Sequence, residues 1–348
     1  MHNSTPWIEK YRPSELDDII MDPNIKKIID VLIHNRGNTH MIITGPPGIG
    51  KTSTVRCIAR KILGINLENG FLELNDSDSR GVKNITSIIP SFCKRAVSFD
   101  ESKIILLDES DNITSKCQAD LCDMIKQFGH NTNFIFTCND SSKIIENIQS
   151  ICRIIRFKSL CDDQIKERLK KICEYEEVSQ TEEGLNTICY ISGGDMRKAI
   201  NNLQITANSF NKITKKEVLS ICKMPDPIEI ASIIDLCLKK NFSDSNQKLN
   251  NLIMEGYYFL DIVVSFGYVV DRSEIHRLKT SELPPIQSEI HRLKTSELSP
   301  IRTGISNKIK LQLIDVINQT KIVLSTNVRS KLQLVAMLCR MIDVINKN

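Results

Sequence analysis

Met41-Ile42-Ile43-Thr44-Gly45-Pro46-Pro47-Gly48-Ile49-Gly50-Lys51-Thr52 is the stretch that decides the fold. A short apolar run leads straight into a loop of the form G-x-x-x-x-G-K-[ST], and a helical pattern begins at its last two residues. From Lys51 to Leu63, the apolar Val55, Ile58, Ala59 and Ile62 recur at helical spacing, and Gly64 is placed to end the helix. Strand, loop and helix in that order make a phosphate cradle. The glycines let backbone N–H groups turn inward, and the helix N-terminus adds a favourable dipole. In such a cradle Lys51 reaches the β- and γ-phosphates of a nucleoside triphosphate, and the Thr52 hydroxyl binds Mg²⁺.

Working outward, Ile104-Ile105-Leu106-Leu107-Asp108-Glu109 supplies a second motif. A continuous apolar run of this kind predicts a strand buried on both faces of a parallel sheet. It delivers Asp108 to the sheet edge, where the carboxylate can hold Mg²⁺, and Glu109 next to it can polarise an attacking water. Phe71 to Leu74, Phe134 to Phe136, and Ile154-Ile155 with Phe157 read as further strands. Strands alternating with helical patterns indicate a parallel sheet covered on both faces. After Leu160 the strand signals fade. Helical patterns start at Asp162, Thr181, Asp195 and Thr214, and Met224-Pro225-Asp226-Pro227 is a breaker cluster. The expected organisation is a nucleotide-binding core over 1–160, an all-helical lid over 161–224 and an all-helical third domain over 225–348.

With these residues in place, the chain resembles the small subunits of replication factor C. The resemblance is carried by Pro6-Trp7-Ile8-Glu9-Lys10-Tyr11-Arg12-Pro13, Glu73-Leu74-Asn75-Asp76-Ser77-Asp78-Ser79-Arg80-Gly81 and Asp108-Glu109-Ser110-Asp111. Phe136-Thr137-Cys138-Asn139 and Gly194-Asp195-Met196-Arg197-Lys198-Ala199 complete it, with weaker support from Glu255-Gly256-Tyr257-Tyr258 and Leu260-Asp261-Ile262. It implies an α/β AAA+ ATPase core, a helical lid, and a helical collar that joins five related subunits into a hetero-pentameric ring. Such rings load a sliding clamp onto primer–template DNA, using ATP and Mg²⁺. By the same resemblance Tyr11, Arg12 and Pro13 lie near the adenine, Asn139 orients the catalytic water, and Arg197 reaches from the lid to the γ-phosphate. Both last roles are chemically sound, since a strand-end amide can position water and an arginine on a lid can report phosphate. The catalytic set is then Glu109, Asn139 and Arg197. The rivals are a non-catalytic scaffold subunit of the same ring and another AAA+ DNA motor, such as a branch-migration machine.

One departure has consequences. The family places Ser-Arg-Cys before the last core strand, and its arginine reaches the neighbour's ATP. Here the residues are Ser150-Ile151-Cys152. Isoleucine cannot stabilise charge on a transferring phosphoryl group. The expectation is a subunit that hydrolyses its own ATP without activating its neighbour's, unless Arg153 or Arg156 takes over the role. For DNA, the candidate contacts are Arg80, Lys83, Lys94, Arg95 and Lys116, on or beside helical patterns that line the ring in the family. Phosphate contacts are blind to sequence and sensitive to salt, as a loader of any primer end requires.

Composition sets the outer bounds. The 348 residues carry 46 Lys plus Arg against 42 Asp plus Glu, a formal charge of +4. That excludes a histone-like polycation, so DNA binding must come from a local patch. The longest apolar stretch, Leu260 to Val270, is interrupted by Asp261, Ser265 and Gly267, too short for a membrane span. The first residues lack the pattern of a signal peptide. The 12 cysteines include no Cys-x-x-Cys pair and read as free, mostly buried thiols of a reducing compartment. The four-cysteine zinc module of bacterial loader subunits is not spelled here, which favours the eukaryotic or archaeal branch. The expected setting is an intracellular site of DNA replication, nuclear or cytoplasmic. Residues 273–287 (SEIHRLKTSELPPIQ) are followed at once by 288–302 (SEIHRLKTSELSPIR). Two copies are too few for a solenoid, which needs about three, so the expectation is a tandem duplication in a surface loop of the third domain, with a partner-docking arm as the alternative.

Overall fold

The computed structural model describes residues 5–34, 39–75, 82–95, 103–210, 212–272, 307–326 and 330–347. The chain divides into two compact units, Met1–Val218 and Leu219–Asn348. The tandem repeat at 273–302 lies outside the described residues.

The first unit begins with a single helical turn, α1 (Trp7–Lys10), and then α2 (Pro23–His34), β1 (Met41–Thr44) and α3 (Lys51–Leu63). α4 (Leu67–Gly70), β2 (Phe71–Leu74), α5 (Val82–Lys94), β3 (Lys103–Leu107) and α6 (Ser115–Phe128) follow. β4 (Thr132–Cys138), α7 (Glu146–Ile151) and β5 (Arg153–Arg156) complete the sheet. The strand order is β2-β3-β4-β1-β5 and every pairing is parallel. β1, β3 and β4 are buried along their whole length.

Alternation along the strands explains why. Ile42, Ile105, Leu107, Phe134 and Phe136 join one apolar cluster with Phe92 of α5 and Leu121, Ile125 and Phe128 of α6. Met41, Ile43, Ile104, Leu106 and Ile135 join a second with Ile29 of α2 and Val55, Ile58 and Leu63 of α3. Consecutive residues point to opposite faces, so a sheet covered by helices on both sides needs apolar residues at every position. The carboxyl ends of β1, β3 and β4 then lie together along one sheet edge, where the phosphate loop, Asp108 and Asn139 all begin.

The lid follows as α8 (Asp162–Tyr175), α9 (Glu182–Ser192), α10 (Met196–Ser209) and α11 (Lys215–Cys222). It departs from the all-helical expectation in one detail. β6 (Ser179–Gln180) and β7 (Lys212–Ile213) pair in parallel. Two residues are too few to carry an alternation signal, and the pairing is set by the helices they flank. The second unit contains α12 (Pro227–Leu238), α13 (Phe242–Met254), α14 (Phe259–Arg272), α15 (Asn307–Ser325) and α16 (Lys331–Asn346). Its centre is built from Ile233, Leu249, Phe266, Leu313 and Met337, all fully or nearly fully buried. Among the described residues no helix is long and apolar enough to cross a membrane.

His40 stands at the entrance to β1, against Phe134. Its Nδ1 accepts a hydrogen bond from the Phe134 N–H at 3.2 Å, and its ring meets the Phe134 ring edge-on at 5.7 Å. Burial pushes the imidazole below its ordinary value of 6.5. An imidazole held neutral in the fold and protonated in the unfolded chain stabilises fully above about pH 6.5, and the contribution is lost as pH falls further. The urea midpoint should therefore fall between about pH 7.5 and about pH 5.5, and His40→Ala should flatten that dependence. An equal slope in wild type and variant would move the acid sensitivity elsewhere.

Candidate functional site

Gly45 leaves β1 with its N–H donating to the Cys138 carbonyl at 3.3 Å, at the end of β4. Pro46 and Pro47 carry the loop outward, Ile49 turns back into the core at 5% exposure, and Gly50 caps α3 at φ +91°. The Lys51 ammonium is bound on the spot: Nζ donates to the carbonyls of Gly45 (2.7 Å) and Pro46 (2.8 Å) and to Asn139 Oδ1 (2.8 Å). Burial pushes the Lys51 pKa down, Cys138, Asp108 and Asp111 pull it back, and Arg197 opposes them. Two residues predicted from separate motifs, the loop lysine and the β4-end asparagine, are thus in direct contact.

Asp108 and Glu109 stand at the end of β3 but in different conditions. Asp108 accepts from the Thr52 hydroxyl at 3.1 and 2.9 Å and from the Thr137 hydroxyl. Glu109 is exposed, adopts the left-handed conformation at φ 52°, ψ 41°, and no side-chain partner is found for it among the described residues. Thr52 and Asp108 offer a hydroxyl and a carboxylate side by side, the hard oxygen donors that suit Mg²⁺. Next to them, Asp111 Oδ2 accepts from the Asn139 backbone N–H at 3.3 Å, which fixes where that asparagine leaves the strand.

The N-terminal box docks on the lid. Trp7 is 7% exposed, and its backbone N–H donates to Gln204 Oε1 of α10 at 2.9 Å. The Tyr11 hydroxyl donates to Glu176 Oε1 at 2.7 Å, and its carbonyl accepts from Arg168 of α8 at 3.0 Å. Burial first, and then the bond to Glu176, push the Tyr11 phenol above its ordinary range. A cleft of about 270 Å³ runs between this box, the phosphate loop and the lid. Tyr11, Arg12, Pro13, Leu160, Met196 and Ile200 line it together with Lys51, Thr52, Asp108, Glu109 and Asn139. Apolar and charged groups in one cleft suit a base and a chain of phosphates. Arg197, exposed in the first turn of α10, lines the same cleft.

The lid touches the loop directly at Gly48. The Met196 N–H donates to the Gly48 carbonyl at 3.1 Å. Gly48 has φ +70°, and a Cβ on it would lie 1.7 Å from Asp195 Oδ1. That same carboxylate oxygen caps α10 by accepting from the Lys198 N–H at 3.0 Å, so it cannot swing away freely. Gly48→Ala adds a left-handed penalty of about 1–2 kcal/mol and about 1 kcal/mol for the disturbed cap. The expected result is ATP binding weakened by about tenfold or more, read by titration. Wild-type affinity in this variant would overturn the tight fit.

The other candidates are dispersed. Lys94 ends α5, Arg95 follows it, and Lys116 lies in the first turn of α6, all three exposed. Arg80 and the side chain of Lys83 lie outside the described residues. Ile151 is the last residue of α7 and 39% exposed, while Arg153 and Arg156 are exposed ends of β5. None of the 12 cysteines is in a disulfide, and nine are buried.

Three features were missed in the sequence. Arg56 of α3 grips Glu73 of β2 with two bonds, 2.9 and 2.7 Å, on the wall of the cleft. Gln118 is buried in α6, donates to the carbonyls of Ile113 and Lys143, and accepts from the Ile145 N–H. Lys103, adjoining the predicted apolar strand, belongs to it and is only 4% exposed. A polar residue at a strand end reads as surface, and only the partners supplied by distant elements show otherwise.

Comparison with known proteins sets this site in a family. Residues 41–160 match the model of the ATPase family associated with various cellular activities, 167–207 an AAA+ ATPase lid domain, and 225–340 the replication factor C C-terminal domain. Over all 348 residues the chain is 52% identical to a provisionally named replication factor C small subunit of Acanthamoeba polyphaga mimivirus, covering 100% of each. The chain belongs to the replication factor C small-subunit family. Replication factor C subunit 4 of Saccharomyces cerevisiae is 40% identical over 266 residues, 75% of this chain and 80% of that one. The AAA+ fold extends to the RuvB Holliday junction branch migration motor of Thermotoga maritima, with TM-score 0.51, 16% identity, and coverage of 74% of this chain and 91% of that one. At that identity the likeness concerns architecture alone. As a replication factor C small subunit, the chain carries an AAA+ ATPase core whose phosphate loop, acidic strand and lid converge on one cleft.

Proposed function

We propose that this chain is an ATP-hydrolysing subunit of a replication factor C-like clamp loader, which opens a sliding clamp and loads it onto primer–template DNA. The observation that carries the reading is the meeting of Lys51 with Asn139 and of Thr52 with Asp108, in a chain that matches replication factor C small subunits from end to end. The loop from Gly45 to Thr52 holds the phosphates, and Tyr11, Arg12 and Pro13 hold the base. Thr52 and Asp108 would hold Mg²⁺, and the ion would supply positive charge to offset that of the phosphates. Glu109 accepts a proton from the attacking water, which Asn139 orients. Arg197 contacts the γ-phosphate from α10, so lid position depends on whether that phosphate is present. Arg80, Lys83, Lys94, Arg95 and Lys116 contact the DNA backbone. The other subunits of a hetero-pentamer, the clamp and the primer–template are the partners, at an intracellular site of replication. Ile151 leaves the neighbour's ATP without an arginine from this subunit.

The test is a tagged pull-down from the source cells with a non-hydrolysable ATP analogue, read by mass spectrometry. Recovery of related subunits and a sliding clamp is the expected result. Recovery of identical copies alone, with no clamp, would replace this reading with a homo-oligomeric AAA+ motor.

A further inference from the structure

Lys103 opens β3 with its side chain turned into the protein. Its Nζ donates to the carbonyls of Phe92 (2.9 Å), Cys93 (2.7 Å) and Arg95, and lies 5.6 Å from the Phe92 ring centroid. Among the described residues no carboxylate pairs with it. Phe92 and Cys93 are in the last turn of α5 and Arg95 follows it, at a helix end whose last carbonyls lack the next turn of N–H donors. A cation there also meets the negative end of the helix dipole. The backbone N–H of Lys103 donates to the Asn131 carbonyl at 3.0 Å, so the residue is held by the sheet as well.

Such a clip is costly. An ammonium buried to 4% exposure and bonded only to carbonyls surrenders its hydration. The four residues after it, Ile104 to Leu107, are all buried and apolar, and an apolar first residue would continue the run. The ammonium gives a connection that an apolar residue cannot. At one end of it stand the exposed Lys94 and Arg95, on the same turn whose carbonyls Lys103 holds. At the other, four residues along a strand bonded on both sides, stand Asp108 and Glu109. The end of α5 is therefore tied by hydrogen bonds to the first residue of the strand that leads to the acidic pair.

We propose that Lys103 is a positioning residue that couples phosphate contact at the end of α5 to the placement of Asp108 and Glu109, so that bound DNA sets the rate of ATP hydrolysis. This rests on the reading of Lys94 and Arg95 as DNA contacts. Lys103 touches neither nucleotide nor DNA; it acts through α5 and β3.

The test replaces the chain in its complete complex with Lys103→Met, which keeps much of the volume and removes the donor. Turnover is measured with and without primer–template DNA, beside DNA affinity as a function of salt. Basal turnover should stay within about twofold of wild type, DNA affinity and its salt slope should hold, and stimulation by DNA should fall towards a ratio of one. A merely structural clip would lower basal and stimulated turnover together; an unchanged stimulation ratio overturns the coupling. If the variant does not assemble, hydrogen exchange on the wild-type complex decides. DNA should slow exchange of the Ile104 to Asp108 amides, and no slowing overturns the proposal. Lys94→Ala with Arg95→Ala tests the underlying reading separately. The salt slope of DNA binding should drop by roughly two, and an unaltered slope removes the DNA contacts themselves and the coupling with them.

Discussion

Glu109→Gln is expected to lower ATP turnover by about 10²–10⁴ while ATP still binds. The two acids of the β3 end differ in what they are already doing. Asp108 is held by the hydroxyls of Thr52 and Thr137, which fix its carboxylate beside the phosphate loop. Glu109 is exposed and lines the same cleft, without such anchors. Its left-handed backbone, φ 52°, costs about 1–2 kcal/mol in a residue with a side chain. The strain is offset by Ser110, whose hydroxyl donates to the Leu107 carbonyl at 2.6 Å and closes the turn. Glutamine keeps the size and the backbone and loses the proton acceptor. Turnover is compared per assembled complex, with ATP binding measured in parallel. Loss of binding together with turnover would mean that Glu109 shapes the site; unchanged turnover would move the base elsewhere.

Ile151→Arg is expected to raise ATP turnover in the assembled complex, with the gain confined to the site of the neighbour that this subunit faces. An arginine supplied in trans is worth about 10³–10⁵ in rate, so even partial placement should give about tenfold. Ile151 ends α7 and is 39% exposed, an apolar residue on the surface at the position where the family resemblance puts the arginine. Arg153, the alternative, is the first residue of β5. Its backbone N–H donates to the His40 carbonyl at 2.8 Å and it pairs with Met41 across the ladder, which holds it to the sheet. Arg153→Ala should accordingly leave turnover unchanged. The opposite pattern, no effect of Ile151→Arg and loss with Arg153→Ala, would falsify the assignment and make Arg153 the acting residue.

The parts of the site legible in the sequence are those whose chemistry needs consecutive residues. A phosphate loop must join a strand to a helix, so Gly45 to Thr52 fixes its own surroundings. Asp108 was readable because a buried strand ends at it, whereas Asn139 was implied only by the family resemblance. The parts that were not legible depend on register and packing. Arg56 and Glu73 are seventeen residues apart and meet only because α3 lies over the sheet beside β2. The closeness of Gly48 to Asp195 needs the lid folded onto the loop. Lys103 reads as the polar edge of a strand until α5 brings three carbonyls to it. The β6–β7 pair is two residues long and has no pattern to read.

Trp7 is the sole tryptophan of the chain. It is nearly buried, its backbone is bonded to Gln204 on the lid, and its ring meets that of Tyr11, a residue lining the cleft, edge-on at 6.4 Å. Fluorescence excited at the indole band therefore comes from one place, the contact between the N-terminal box and α10. If nucleotide binds in this cleft as proposed, its entry should change that emission, and stopped flow on the unlabelled protein checks it with no dye and no engineered reporter.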